Sequence, residues 1–232
     1  MKKLLIFIVF IIYGCSTDPI LNENVERYNI FLVMREDKNV QELYLSKVYT
    51  ITDTTIADVE AEARMIYKDN IFKFEKFRDD IFVSEFKPVA GELYTLKIIG
   101  ECGDLEIETN MVGEFEIIYP QDGDSLTIDD TIKIVGSDDI FAYELIISVD
   151  SLPSYYTGFN IVEDREDTVF FHLHEYFLKF PVSDSAVLKV FAVDSTYLMH
   201  SFGDIFLEYD TLKQYYGLFS GIGTKQVKVK LR

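Results

Sequence analysis

Phe115-Glu116-Ile117-Ile118-Tyr119-Pro120-Gln121-Asp122-Gly123-Asp124 is the stretch whose reading decides the fold. Phe115, Ile117 and Tyr119 alternate with Glu114, Glu116 and Ile118, the two-residue period of a half-buried strand. The run then breaks in Pro120 to Asp124, a turn by composition. The same pattern recurs on the C-terminal side. Ile132 and Ile134 repeat the alternation, a Gly136-Ser137-Asp138-Asp139 turn follows, and Tyr143, Leu145, Ile147 and Val149 resume it. Val169, Phe171 and Leu173 come next, then Val187 to Val193, apolar on both faces as in a central strand. Val227, Val229 and Leu231 close the chain against Lys228, Lys230 and Arg232, a half-buried strand whose cationic face suits an edge.

Working towards the N-terminus, Tyr94, Leu96 and Ile98 alternate up to a Gly100 to Asp104 turn, with Glu106 to Thr109 as the return strand. Val59, Ala61, Ala63 and Met65 alternate strictly with Glu60, Glu62 and Arg64, which favours a strand over a helix across 57–69. A short helix is expected within Phe202 to Tyr216. No fixed-period repeat and no low-complexity tract is visible. Many short strands separated by turns predict an all-β chain of two sandwiches. The expected layout is a first domain over 25–112 and a second over 113–232, with the closing segment completing the second.

Several pieces carry resemblances. Phe115 to Asp124, followed by Asp130 to Gly136 and Tyr143 to Ser148, resembles bacterial Ig-like or fibronectin-type modules, which open with a strand ending in Pro-x-Asp-Gly. Ile56 to Ala63, Phe86 to Leu96 and the glycine-rich Gly217-Leu218-Phe219-Ser220-Gly221-Ile222-Gly223 are, in their order, similar to an uncharacterised envelope lipoprotein family of Bacteroidetes-type bacteria. That resemblance implies β-sandwich domains on the cell envelope, sometimes beside nutrient-uptake receptors, and brings no catalytic residues with it. The glycines of the last piece read as tight turns before the final strand.

Met1 to Cys15 reads as an export signal. Lys2 and Lys3 precede an uncharged run, Leu4 to Tyr13, too short to span a bilayer. Ile12-Tyr13-Gly14-Cys15 resembles the bacterial lipobox. The resemblance implies removal of residues 1–14, a lipid thioether on Cys15 with an acylated amine, and 15–24 as lipidated N-terminus and linker. Ser16 after the cysteine suits outer-membrane sorting, so the expected address is the bacterial envelope, with the membrane reached through the palmitate-type anchor.

The chain carries 22 basic and 40 acidic residues, a formal net charge of −18. Such a balance excludes nucleic acid, whose binding relies on cationic neutralisation of phosphate. If Cys15 takes the lipid, Cys102 stands alone and no intramolecular disulfide forms. Cys102 lies among Glu101 and Asp104, which disfavour its thiolate.

Candidate chemistry is sparse. His172 and His174 would share a strand face with Phe170, and both imidazoles could reach one ion, although a plain surface face with two histidines is the simpler reading. Asp122, Asp124, Asp129 and Asp130 offer hard oxygen donors near a turn, without the spacing of an EF-hand. Tyr155, Tyr156, Tyr215 and Tyr216 could stack on a glycan. Gly217 to Gly221 misses the Gly-x-Ser-x-Gly spacing of a hydrolase, and no phosphate loop or dinucleotide fingerprint occurs, so neither an enzyme nor a cofactor is expected. The function expected is a non-catalytic accessory that binds or scaffolds an envelope protein, using 155–160 and 202–220 as contact loops. The alternative is a glycan- or calcium-binding surface module.

Overall fold

The computed structural model describes residues 27–48, 59–149, 155–162, 168–176, 182–201 and 215–232. Within these the chain is built almost wholly of strands. The N-terminal half contributes β1 (Arg27–Arg35), β2 (Val40–Val48), β3 (Ala61–Tyr67), β4 (Asn70–Arg78), β5 (Ile81–Glu85), β6 (Leu93–Gly100) and β7 (Leu105–Asn110). The C-terminal half contributes β8 (Phe115–Tyr119), β9 (Ser125–Leu126), β10 (Thr131–Gly136), β11 (Ala142–Val149), β12 (Tyr155–Ile161), β13 (Thr168–His172), β14 (Ser183–Val193) and β15 (Tyr215–Leu231). Two short helices, α1 (Leu173–Tyr176) and α2 (Ser195–Ser201), complete the set. The protein is an all-β sandwich.

Alternation builds two separate cores. In the first, Tyr28, Ile30, Leu32 and Met34 of β1 meet Leu43 and Leu45 of β2 and Phe82 of β5, across from Ala63 and Met65 of β3 and Tyr94, Leu96 and Ile98 of β6. One layer therefore runs β1-β2-β5 and the other β4-β3-β6-β7; β4, with only Phe74 buried, pairs with β5 and carries the sheet round the corner. The second core sets Phe115, Ile117, Ile132, Ile134, Val169 and Phe171 against Tyr143, Leu145, Ile147, Leu188, Val190, Val229 and Leu231. Its layers run β8-β10-β13 and β12-β11-β14-β15. The two halves thus share one strand order, three strands on four. The sequence shows no repeat because only burial parity and turn placement recur, not residue identity. Strands β1, β2, β4 and β5 were not anticipated from the local pattern.

The last strand joins the halves. Tyr215 to Ile222 pairs parallel with Tyr28 to Arg35 of β1, while Gly223 to Leu231 pairs antiparallel with β14. Its 17 residues span about 55 Å at roughly 3.3 Å per residue. Two sequence expectations are corrected here. The glycine-rich segment 217–223 is not a set of turns before the final strand but the middle of that strand. Crowding explains it: Gly217 has φ 102° and a side chain there would run into the Ile30 carbonyl. At Gly221, a Cβ would stand 2.5 Å from Met111 sulfur and 2.9 Å from its Cα. Nor does the cationic pattern of 228–232 guard a bare edge, since β9 pairs with Lys230 and Leu231 there and the Asp122 to Asp124 turn takes the Lys228 and Lys230 N–H groups.

The connection between cores is buried. Met111, Val112 and Gly113 are buried, Gly91 N donates to the Met111 and Val112 carbonyls at 3.2 and 3.1 Å, and Gly113 N donates to Asp139 at 2.8 Å. On the opposite face of the sheet, Ala142, Phe191, Val193, Leu198 and Ile222 form a third cluster beneath α2. Asp194 pins this corner. Its carboxylate accepts from Tyr197 N at 2.7 Å as the cap of α2, and from Ser220 Oγ of β15 at 2.9 Å.

Burial pushes the Asp194 carboxyl above its ordinary range, although the Tyr197, Ser220 and Thr196 hydrogen bonds pull it back. The native protein therefore holds this proton more tightly than the unfolded chain. The stability it contributes is fully present below the ordinary carboxylate range and lost as pH rises above that range through the raised native pKa. Asp194→Asn is expected to flatten this part of the pH dependence in urea titrations run upward from the ordinary carboxylate range, whereas Asp194→Ala loses about 1–2 kcal/mol through the missing cap. Gly217→Val is expected to destabilise both halves together by at least about 2 kcal/mol; loss confined to the first half would contradict the shared strand. Limited proteolysis should leave 110–114 uncut, and early cleavage there would contradict a buried connection.

Candidate functional site

The second sandwich has an open side. Among the described residues, strand β8 pairs only with β10. On the facing layer, β15 is paired with β1 as far as Ile222 and with β9 at Lys230 and Leu231. Between these, among the described residues, no strand pairs with the groove-side edge of β15. A groove of about 660 Å³ lies between the two edges, lined by Phe115, Glu116, Ile117, Gln121, Lys225 and Val227, with Ile118 and Gln226 completing it.

Backbone alternation decides what the groove offers. Ser137 N donates to the Glu114 carbonyl at 3.1 Å, so Glu114 directs its peptide groups towards β10. Phe115 and Ile117 then direct theirs into the groove. Across from them, Lys228 N donates to Asp122 Oδ1 and Lys230 N to the Asp124 carbonyl, each at 2.8 Å. By the same parity Thr224 and Gln226 direct their peptide groups to the groove. Thr224 also carries the buried side-chain oxygen without a hydrogen-bond partner among the described residues. Gln121 closes one end, its Nε2 donating to the Ile117 and Ile118 carbonyls at 2.7 and 2.9 Å. At the other end Lys225 stands 4.0 Å from Glu36 of the β1–β2 turn. Exposed Glu114 and Glu116 make the β8 rim acidic.

Of the residues expected to hold calcium, the structure uses Asp124 and Asp130 as turn caps and Asp122 as a tie to β15. Asp122 accepts from Lys228 N, Asp124 from Gln121 N at 2.8 Å, and Asp130 from Thr127 N and Oγ1 at 2.6 and 2.8 Å. Tyr119 adds a bond to Asp130 at 3.3 Å, and its phenol is raised by burial and then by the Asp130 and Asp124 charges. Asp129 is exposed. His172 and His174 do not share a strand, because β13 ends at His172 and α1 begins at Leu173. Their rings nevertheless lie 5.9 Å apart, and His172 Nδ1 is 2.9 Å from Thr131 Oγ1. Among the described residues no three His, Cys, Asp or Glu side chains converge as a metal cage.

Tyr155 and Tyr156 lie in β12, an edge strand rather than the expected loop, and their side chains fall outside the described residues. Tyr215 and Tyr216 lie in β15, not in a helix; Tyr215 packs against the first core, and the Tyr216 side chain is outside the described residues. Residues 202–214 and Cys15 are outside them as well. Ser220 is fully buried against Asp194, and Cys102 is half-buried at the β6–β7 turn against the first core. Sequence reading found the β8 strand and its turn but missed the groove. Its signal is that Pro120 halts β8 after five residues while β15 runs on past it.

No protein-family model matches the chain, and no curated protein matches it. Among solved structures, the chain is similar to "Biofilm associated protein - BSP domain" at 10% identity and a TM-score of 0.25, covering 89% of this chain and 30% of that one. It is also similar to the fibronectin(III)-like modules of Clostridium thermocellum CbhA at 12% identity and a TM-score of 0.28, covering 89% and 94%.

Because Asp122 and Asp130 spend their oxygens on backbone donors, Asp122→Ala and Asp130→Ala should each cost about 1 kcal/mol in calcium-free buffer. Thermal unfolding with and without added calcium checks this: a loss seen only with calcium would show that they act as ligands.

Proposed function

We propose that this chain is a non-catalytic, lipid-anchored envelope protein that binds a protein partner through the groove between β8 and β15, as an accessory in the manner of the Bacteroidetes-type envelope lipoproteins it resembles. The observation that carries the reading is the meeting of two strand edges, unpaired among the described residues, on a frame stitched by one strand. Strand edges offer rows of backbone donors and acceptors, which proteins recognise by adding a strand. The buried Ser220 and the turn-capping and strand-tying aspartates support a non-catalytic role, since their polar atoms are occupied by the fold. The lipobox-like Ile12 to Cys15 supports an anchor, and with Ser16 an outer-membrane address; the acidic balance supports a protein rather than a nucleic-acid partner.

A photo-crosslinking residue placed at position 118 in living cells tests this reading against one at Lys87, which is exposed and not part of the groove lining. A discrete adduct from 118 and none from 87 is expected; equal labelling from both positions, or none from 118, would sink the groove as the contact. In parallel, palmitate incorporation should vanish in Cys15→Ser, and persistence would remove the anchor.

A further inference from the structure

The molecule already contains one strand addition of the kind the groove invites. Strand β1 opens the first sandwich and β8 opens the second, each at the edge of a three-strand layer of the same order, β1-β2-β5 and β8-β10-β13. The edge of β1 is filled: Tyr215 to Ile222 lies beside it, parallel, over eight residue pairs. The added segment turns Phe219 into the first core and keeps Gly217 and Gly221 where the backbone crowds Ile30 and Met111. The corresponding edge of β8 is empty among the described residues, and beside it lies the 660 Å³ groove.

We propose that the groove binds an extended segment of a partner protein as a strand parallel to β8, turning the three-strand layer into a four-strand one, as Tyr215 to Ile222 does for β1. This inference rests on the protein-binding reading above and gives it a partner class. The incoming backbone pairs with the peptide groups of Phe115 and Ile117. Its inward side chains lie against Phe115, Ile117 and Val227, and small residues are needed where it passes the β15 backbone. Gln121, which holds the Ile117 carbonyl, yields that acceptor to the incoming strand. The acidic rim of Glu114 and Glu116 favours Lys or Arg on the outward face of the segment. A partner strand is therefore alternating, apolar inward and cationic outward.

The test uses the full chain, isotope-labelled, with a synthetic peptide of residues 215–222 flanked by lysines as the probe. In the intact chain β1 is already covered, so β8 is the matching edge left open. Amide exchange at Phe115 and Ile117 is expected to slow at least about tenfold at saturating peptide, one lost opening of roughly 1.4 kcal/mol. A spin label on the peptide N-terminus should broaden Phe115 more than Tyr119, and one on the C-terminus the reverse. No slowing at β8, equal slowing by a peptide N-methylated at alternate positions, or the opposite label polarity would each overturn the parallel strand addition. Slowing that grows with protein concentration and needs no peptide would assign the edge to a second copy instead. If position 118 still crosslinks to a partner in cells while the peptide fails, the docking reading survives and strand addition falls. If both fail, the groove has no role in binding.

Discussion

Everything in this molecule depends on one strand serving two sheets. Pairing of Tyr215 to Ile222 with β1 adds a ladder of backbone hydrogen bonds, each contributing about 1 kcal/mol net. It also buries Leu218, Phe219 and Ile222, worth roughly 1.5–3 kcal/mol apiece. The same strand, from Gly223 onward, closes the β12-β11-β14-β15 layer of the second sandwich. Neither sandwich can open fully without disturbing the other's sheet. Two-domain chains are usually joined by exposed linkers that let the parts swing; here the connection at 111–113 is buried and a second, longer crossing lies beside it.

That constraint explains the composition of the crossing. A strand wedged between β1 and the Met111 connection has no room for side chains at 217 and 221, so glycine is required there despite weakening an isolated strand. Asp194 offsets part of that weakness by tying Ser220 to the cap of α2. The constraint also creates the groove. Strand β15 is covered on one edge by β1 and then by β9, and the interval between these two partners is what faces the short β8. A rigid frame with a fixed gap suits recognition by added backbone, because little ordering is required of the frame when a segment docks.

Much of the architecture was legible because half-buried strands announce themselves by period two. Phe115 to Tyr119, Tyr94 to Ile98 and Tyr143 to Val149 all sit where alternation placed them. Illegible features are those set by distant partners. Tyr28 meets Tyr215 across most of the chain, and nothing local in either segment specifies a parallel neighbour. The Gly217 to Gly223 run looked like turns because glycine serves both sharp bends and close approach, and only the position of Ile30 and Met111 distinguishes the two. Lys228, Lys230 and Arg232 looked like edge guards for the same reason: alternation reports a face, not a place in the sheet. For the site, the aspartates near 122–130 were visible by type, but their use as ties and caps depends on where Lys228 and Thr127 fall.

The most direct test of the shared strand is native-state hydrogen exchange along β15 over a series of denaturant concentrations. If one strand holds both sandwiches as a single cooperative unit, slowly exchanging amides of 216–222 and 223–231 converge on one opening free energy and one denaturant dependence. If 216–222 instead opens at much lower free energy while 223–231 stays protected, the first sandwich does not depend on the strand, and the account of a stitched frame is wrong.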